Sequence, residues 1–120
     1  AGRPVDLAVG AFDTHEVVAY LLARLGPTLT AYIANVQDGK TVTRWAKGEV
    51  ERFRDDETEQ RVRTAYQIVV LLRETEKPKT IRSWFIHLNP RLNDTMPSEA
   101  IREGKLQDAL YAAQALVANP

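Results

Sequence analysis

The chain has 120 residues, 44% of them apolar, and its 16 lysines and arginines balance 16 aspartates and glutamates to a net charge of zero. That length and apolar share suit one domain, or two small subdomains around a shared core, and the zero balance excludes a protein that coats nucleic acid by bulk charge. The absence of cysteine excludes disulfide frameworks, cysteine-based zinc fingers and thiol nucleophiles, and makes a reducing, cytoplasmic compartment the expected one.

In chain order, residues 1–12 lack caps and periodicity, and Pro4 and Gly10 mark them as an N-terminal arm. Asp13 followed by Glu16 has the capping-box spacing, and Val17, Val18, Leu21, Leu22 and Leu25 form one apolar stripe behind it. Gly26-Pro27 closes that helix. A short helix over about 28–36 follows, with Leu29, Ile33 and Val36 inward, then a turn at Gln37-Asp38-Gly39 and a second short helix over 40–47, stopped by Gly48. The acids of 55–59 open a longer helix whose buried face is Val62, Ala65, Tyr66, Val69 and Leu72. Pro78 starts the next helix, with Ile81, Trp84, Phe85 and Leu88 at i, i+3, i+4 and i+7, and Asn89-Pro90 breaks it. Pro97 begins a short helix ended by Gly104, and Leu106, Ala109, Leu110, Ala113, Leu116 and Val117 stripe the last one. No strand pattern competes, and no apolar run approaches the roughly 18–20 residues of a membrane span, so an all-α helical bundle without a membrane partner is expected. A signal peptide is not visible, and a start at Ala1 fits a processed chain or an excised fragment. The organisation expected is an arm over 1–12, a subdomain over 13–54 and a second helical subdomain over 55–120.

Charge is distributed unevenly. Residues 37–54 hold Lys40, Arg44, Lys47, Arg52 and Arg54 against Asp38, Glu49 and Glu51. At about 100° per residue, Val42, Trp45 and Ala46 fall on one side of the helix 40–47, and Lys40, Thr43, Arg44 and Lys47 on the other, with Thr41 at the border. The expectation is that Trp45 anchors the helix on Ile33 and the first helix while the cations face out. Two short helices joined by a tight turn have the helix-turn-helix plan, which sets the second helix in the major groove. Arginine there can bond guanine bidentately, threonine can meet a thymine methyl, and lysines can neutralise phosphates. Lys40, Thr41, Thr43, Arg44 and Lys47 are therefore the candidate residues for contacting double-stranded operator DNA. The segment "LTAYIANVQDGKTVTRW" is a residue or two shorter than the usual spacing, and neither Ala31 nor Ala34 falls quite where the motif's small residue belongs. A solvated polar face, or a protein-interaction module with a vestigial helix-turn-helix, is the competing reading.

Further along, "RVRTAYQIVVLL" and "TIRSWFIHLNPRLNDTMPSEAIREGKLQDALYAAQALV" resemble the C-terminal domain of the Xre/MbcA/ParS antitoxin family. The resembling features are Trp84 ahead of Asn89-Pro90, then Leu92, Pro97, Ile101, Gly104 and an alanine-rich final helix, with Asn93-Asp94-Thr95 standing where the family usually has glycine. With the preceding Xre-like segment from Leu25 to Gly48, the likeness covers about 25–118. It implies a bacterial antitoxin that neutralises a cognate toxin protein, commonly a RES-type enzyme, by direct binding and that represses its own operator. A stand-alone or phage-type repressor shares the DNA chemistry. A homodimer is expected, because half-sites about 34 Å apart need two recognition helices.

Trp84, Leu92, Pro97 and Gly104 are read as core anchor, core contact, helix start and helix cap. Arg82, His87 and Arg91, with Asn89 of the turn between them, are the candidates for touching a protein partner. The C-terminal "ALVANP" is either a frayed end or, since family antitoxins present this end to the toxin, a contact segment that includes Asn119 and Pro120. His15 and His87 are the only histidines, and no metal-binding His pair, phosphate loop or nucleophile elbow occurs. No catalytic residue, metal or cofactor is expected.

Overall fold

The computed structural model describes residues 13–49, 53 and 55–118, and these form seven α-helices and one 3-10 turn. The helices are α1 (Thr14–Leu25), α2 (Pro27–Ala34), α3 (Gly39–Ala46), α4 (Asp56–Leu72), α5 (Pro78–Ile86), α6 (Pro97–Arg102) and α7 (Leu106–Ala118), with the 3-10 turn at Pro90–Leu92. The fold is all-α; among the described residues the sole β-type pairing is an isolated bridge between Asn89 and Thr95. The expected arm at 1–12, and Arg52, Arg54, Asn119 and Pro120, lie outside the described residues.

Capping fixes where the helices begin. The Asp13 N–H donates to Glu16 Oε1 at 3.3 Å ahead of α1, and Asp55 Oδ1 accepts the Thr58 N–H at 2.8 Å ahead of α4. Asp56, Glu57 and Glu59 occupy the first turn of α4, where the helix dipole favours negative charge. Gly26 joins α1 to α2 at φ +84°, a conformation that side chains disfavour, and its N–H returns to the Leu22 carbonyl at 3.0 Å. That sharp joint lets Pro27 begin α2 at once.

Helix α3 runs antiparallel to α1. A Cβ built on Gly39 would meet the Pro27 ring at 2.8 Å, at the end of α1, whereas one built on Gly48 would lie 3.9 Å from His15, at its beginning. Helix α2 packs on α1, α3, α4 and α6, while α4 also packs on α1, α6 and α7. One apolar cluster therefore joins Leu21, Leu25, Ile33 and Val42 of the first half to Ile68, Leu72, Phe85 and Ile101 of the second. A radius of gyration of 13.3 Å is that of one folded unit of this length.

One expected core position, Leu88, is corrected, and burial along the other expected faces is uneven. On α2, Ile33 is buried and Leu29 and Val36 pack, partly buried, against the same core as expected, while Thr30, Ala31 and Ala34 are buried beside them. Small residues allow neighbouring backbones to approach α2 closely, and Val36 lies past the end of the helix, out of its register. Leu88 is 67% exposed because α5 stops at Ile86, before the Asn89-Pro90 break, so the fourth position of the stripe is never helical. Trp84 packs against the core as expected, half-buried and edge-on to Phe85 at 5.1 Å, and Phe85 beside it is fully buried.

The turn after α5 closes without glycine. Asn93 and Asp94 both take left-handed backbone, φ 55° and 59°, which Asn and Asp tolerate better than other side chains. The Asn89 N–H donates to the Thr95 carbonyl at 3.0 Å, and the Thr95 hydroxyl donates to the Leu92 carbonyl at 2.7 Å.

Candidate functional site

Asp38 sets the start of α3: its Oδ1 accepts the backbone N–H groups of Lys40 at 3.0 Å and Thr41 at 3.2 Å. The helix then divides as its spacing requires. Val42 and Trp45 are buried, and the indole stands edge-on to Phe53 at a centroid distance of 4.8 Å, an aromatic partner not anticipated from the sequence. Lys40, Arg44 and Lys47 are exposed. The Arg44 Nε lies 3.5 Å from Glu49 Oε1, with both side chains more than half exposed at 61% and 51%. An ion pair so open to water is worth at most about 1 kcal/mol, so it gives way readily to a competing anion.

The two threonines differ from the cations. Thr43 Oγ1 donates to the Gly39 carbonyl at 2.8 Å, and Thr41 Oγ1 reaches Asp38 Oδ1 at 3.5 Å; both residues are half-buried. Their hydroxyl donors are turned to the helix itself, so the cations are the polar groups that α3 offers outward. The turn ahead of α3 spans 35–38, with Asn35 left-handed at φ 60°. Four residues fall within the three-to-four-residue turn of the helix-turn-helix plan, and Ala31 and Ala34 are both buried in the helix before it.

Beneath that turn lies a residue the sequence reading missed. Arg102, from the end of α6, donates through Nη1 to the Tyr32 carbonyl at 2.8 Å, and its guanidinium sits 4.5 Å from the centroid of the Tyr32 ring. Its own carbonyl accepts from Arg61 Nε at 3.0 Å. Arg102 borders an open cavity of about 550 Å³ shared with Thr28, Tyr32, Asn35, Gln37 and Asp38. The second half of the chain thus fixes the helix that carries α3. A contact across 70 residues leaves no local signal in the sequence.

Of the partner candidates, Arg82, His87 and Arg91 are exposed. His87 Nδ1 lies 2.8 Å from the Ser83 carbonyl and 3.0 Å from the Ser83 hydroxyl. Asn89 is half-buried, and its Oδ1 accepts the Arg91 N–H at 2.9 Å, which shapes the turn. Ile86 and Leu88, 48% and 67% exposed, add apolar surface beside these cations. Among the described residues, Asp13, His15 and Glu16 bring possible ligand atoms within 4.8 Å of one another, but all three are exposed and the Glu16 carboxylate is engaged in capping α1. No protein-family model matches the chain, and no curated protein or solved structure matches it.

Proposed function

We propose that this protein is a DNA-binding regulator of the antitoxin kind, in which α2, the turn 35–38 and α3 act as a helix-turn-helix. The observation that carries the reading is the division of α3. Trp45 and Val42 lock its inner side, and Lys40, Arg44 and Lys47 are exposed, with a single weak acid contact among the described residues. A helix held from behind presents its cations at little further entropic cost, which is what phosphate and base-edge contacts require. In this reading Arg44 addresses a base edge, while Lys40 and Lys47 neutralise phosphates on either side.

The protein-binding half of the proposal draws on the resemblance to Xre/MbcA/ParS antitoxins. The exposed Ile86 and Leu88, flanked by Arg82, His87 and Arg91, form a mixed apolar and basic surface suited to a protein partner. A RES-type toxin encoded beside the gene is the partner expected.

Binding of the protein to duplex from upstream of its own gene, at two salt concentrations, tests the DNA half. Affinity that falls steeply with salt and exceeds that for a scrambled duplex is expected; no preference between the two duplexes would sink it. Co-expression with the neighbouring reading frame tests the other half. A stable complex, lost on Leu88→Asp, is the expected outcome.

A further inference from the structure

The ends of α1 and α4 and the start of α5 meet in a corner. A cavity of about 190 Å³ there is walled by Arg24, Arg73, Glu76, Pro78 and Ile81. Tyr20 positions both arginines: the Arg24 guanidinium lies 3.7 Å from the ring centroid, and Arg73 Nη1 donates to the Tyr20 hydroxyl at 2.9 Å. Neither arginine is in an ion pair with a carboxylate among the described residues. Glu76, the one acid on the wall, accepts the Thr75 hydroxyl at 3.0 Å. A third guanidinium stands close by, since a Cβ built on Gly26 would lie 3.8 Å from Arg82 Nη2. Arg24 with the segment 73–82 brings five cations (Arg24, Arg73, Lys77, Lys79, Arg82) against Glu74 and Glu76, on a chain whose net charge is zero.

Guanidiniums held in place by stacking and hydrogen bonding, and lacking an acid partner, are suited to phosphate oxygens, which their planar N–H donors match in pairs. The corner is also tied to α3. Gly26, beside Arg82, is followed by Pro27, which touches the first residue of α3, Gly39. Adding those contacts through the backbone puts Arg82 Nη2 no more than about 15 Å from the Gly39 Cα. A duplex carries a charge about every 1.7 Å along its axis, so DNA engaged by the start of α3 has phosphates within that span.

We propose that Arg24, Arg73 and Arg82 grip the phosphodiester backbone of the duplex next to the segment that α3 reads, an inference that rests on the reading of α3 given above. The second half of the chain then supplies part of the affinity for DNA and none of the sequence preference.

The test compares the full chain, Arg44→Ala, and the double variant Arg24→Gln with Arg82→Gln, on upstream and scrambled duplexes over a series of salt concentrations. Arg73 is left in place because it bonds Tyr20. The double variant is expected to weaken both duplexes by the same factor, to keep the ratio between them, and to reduce the slope of log affinity against log salt by about 2. Should it fail to fold, as its melting curve will tell, Arg82→Gln alone is expected to reduce the slope by about 1. A wild-type slope in the variant overturns the corner, and leaves α3 standing if Arg44→Ala still loses preference. A reduced slope with an unaffected Arg44→Ala keeps the corner as a phosphate grip and removes α3 as the reader. Absence of binding to either duplex by the unmodified chain overturns both.

Discussion

The exposed side of α3 and the seam between α2 and α6 each carry an arginine, and they use it in opposite ways. Arg44 is exposed, and among the described residues it makes one open contact, to Glu49. Arg102 is half-buried, stacked on Tyr32 and bonded to its carbonyl. Removing a group of the second kind loses a part-buried hydrogen bond and a stacking contact, although the Tyr32 carbonyl keeps the Asn35 N–H at 3.1 Å. Removing one of the first leaves only solvent behind. The seam therefore contributes to the fold, whereas Lys40, Arg44 and Lys47 of α3 are exposed. The two regions differ in what surrounds the guanidinium, not in its chemistry.

The largest effect should come from the inner side of α3. Trp45→Ala empties the site against Phe53 and is expected to cost about 3–5 kcal/mol of stability in denaturant unfolding. If it costs less than Arg102→Ala, α3 is not anchored by its indole. Arg102→Ala loses a charge-assisted hydrogen bond and a stacking contact, together about 2 kcal/mol, or a melting temperature lower by about 8 °C. A variant that melts like the unmodified chain would put the seam in the same class as the surface. Asp38→Ala removes the cap of α3 and should cost about 1 kcal/mol, with a matching loss of DNA affinity because the helix frays from the end nearest the corner.

A smaller, pH-dependent effect sits in the interior on α4. Burial, with the neighbouring Tyr20, raises the Tyr66 hydroxyl above its ordinary value of 10.0, despite the opposing pull of Arg73 and Arg24. The folded state thus holds this proton more tightly than the unfolded chain. The associated stability is fully present below about pH 10 and declines as pH rises from there through the native value. Tyr66→Phe should remove that part of the alkaline decline. Smallest of all, Arg44→Ala should change stability by less than about 0.5 kcal/mol.

How much of this the sequence made legible follows from the range of the interactions. The two sides of α3 could be read from residue spacing, because an amphipathic helix repeats its environment every three or four residues and Trp45, Arg44 and Lys47 sit within one turn. The starts at Asp13, Asp55, Pro78 and Pro97 were legible for the same reason, since capping acts within a few residues. Helix α2 was legible only in part: Leu29, Ile33 and Val36 pack on the core, but with neighbours on several sides the helix also buries Thr30, Ala31 and Ala34, whose small size and not their hydrophobicity admits the approach. Leu88 was misplaced because a periodic stripe was carried past the point where the chain leaves the helix. The part Asn89 plays in its own turn was not legible, because side-chain oxygens that cap their own turns are indistinguishable, in a sequence, from ones that face a partner. Arg102 and the Tyr20 corner depend on contacts 70 and 53 residues apart, which no local pattern records.

The most direct measurement is the ratio of affinities for upstream and scrambled duplexes, taken by fluorescence anisotropy for the unmodified chain and for Arg44→Ala at one salt concentration. If the outward side of α3 reads base edges, the substitution lowers that ratio by about 1–3 kcal/mol while the melting temperature stays where it was. An unchanged ratio in a folded Arg44→Ala would contradict the account.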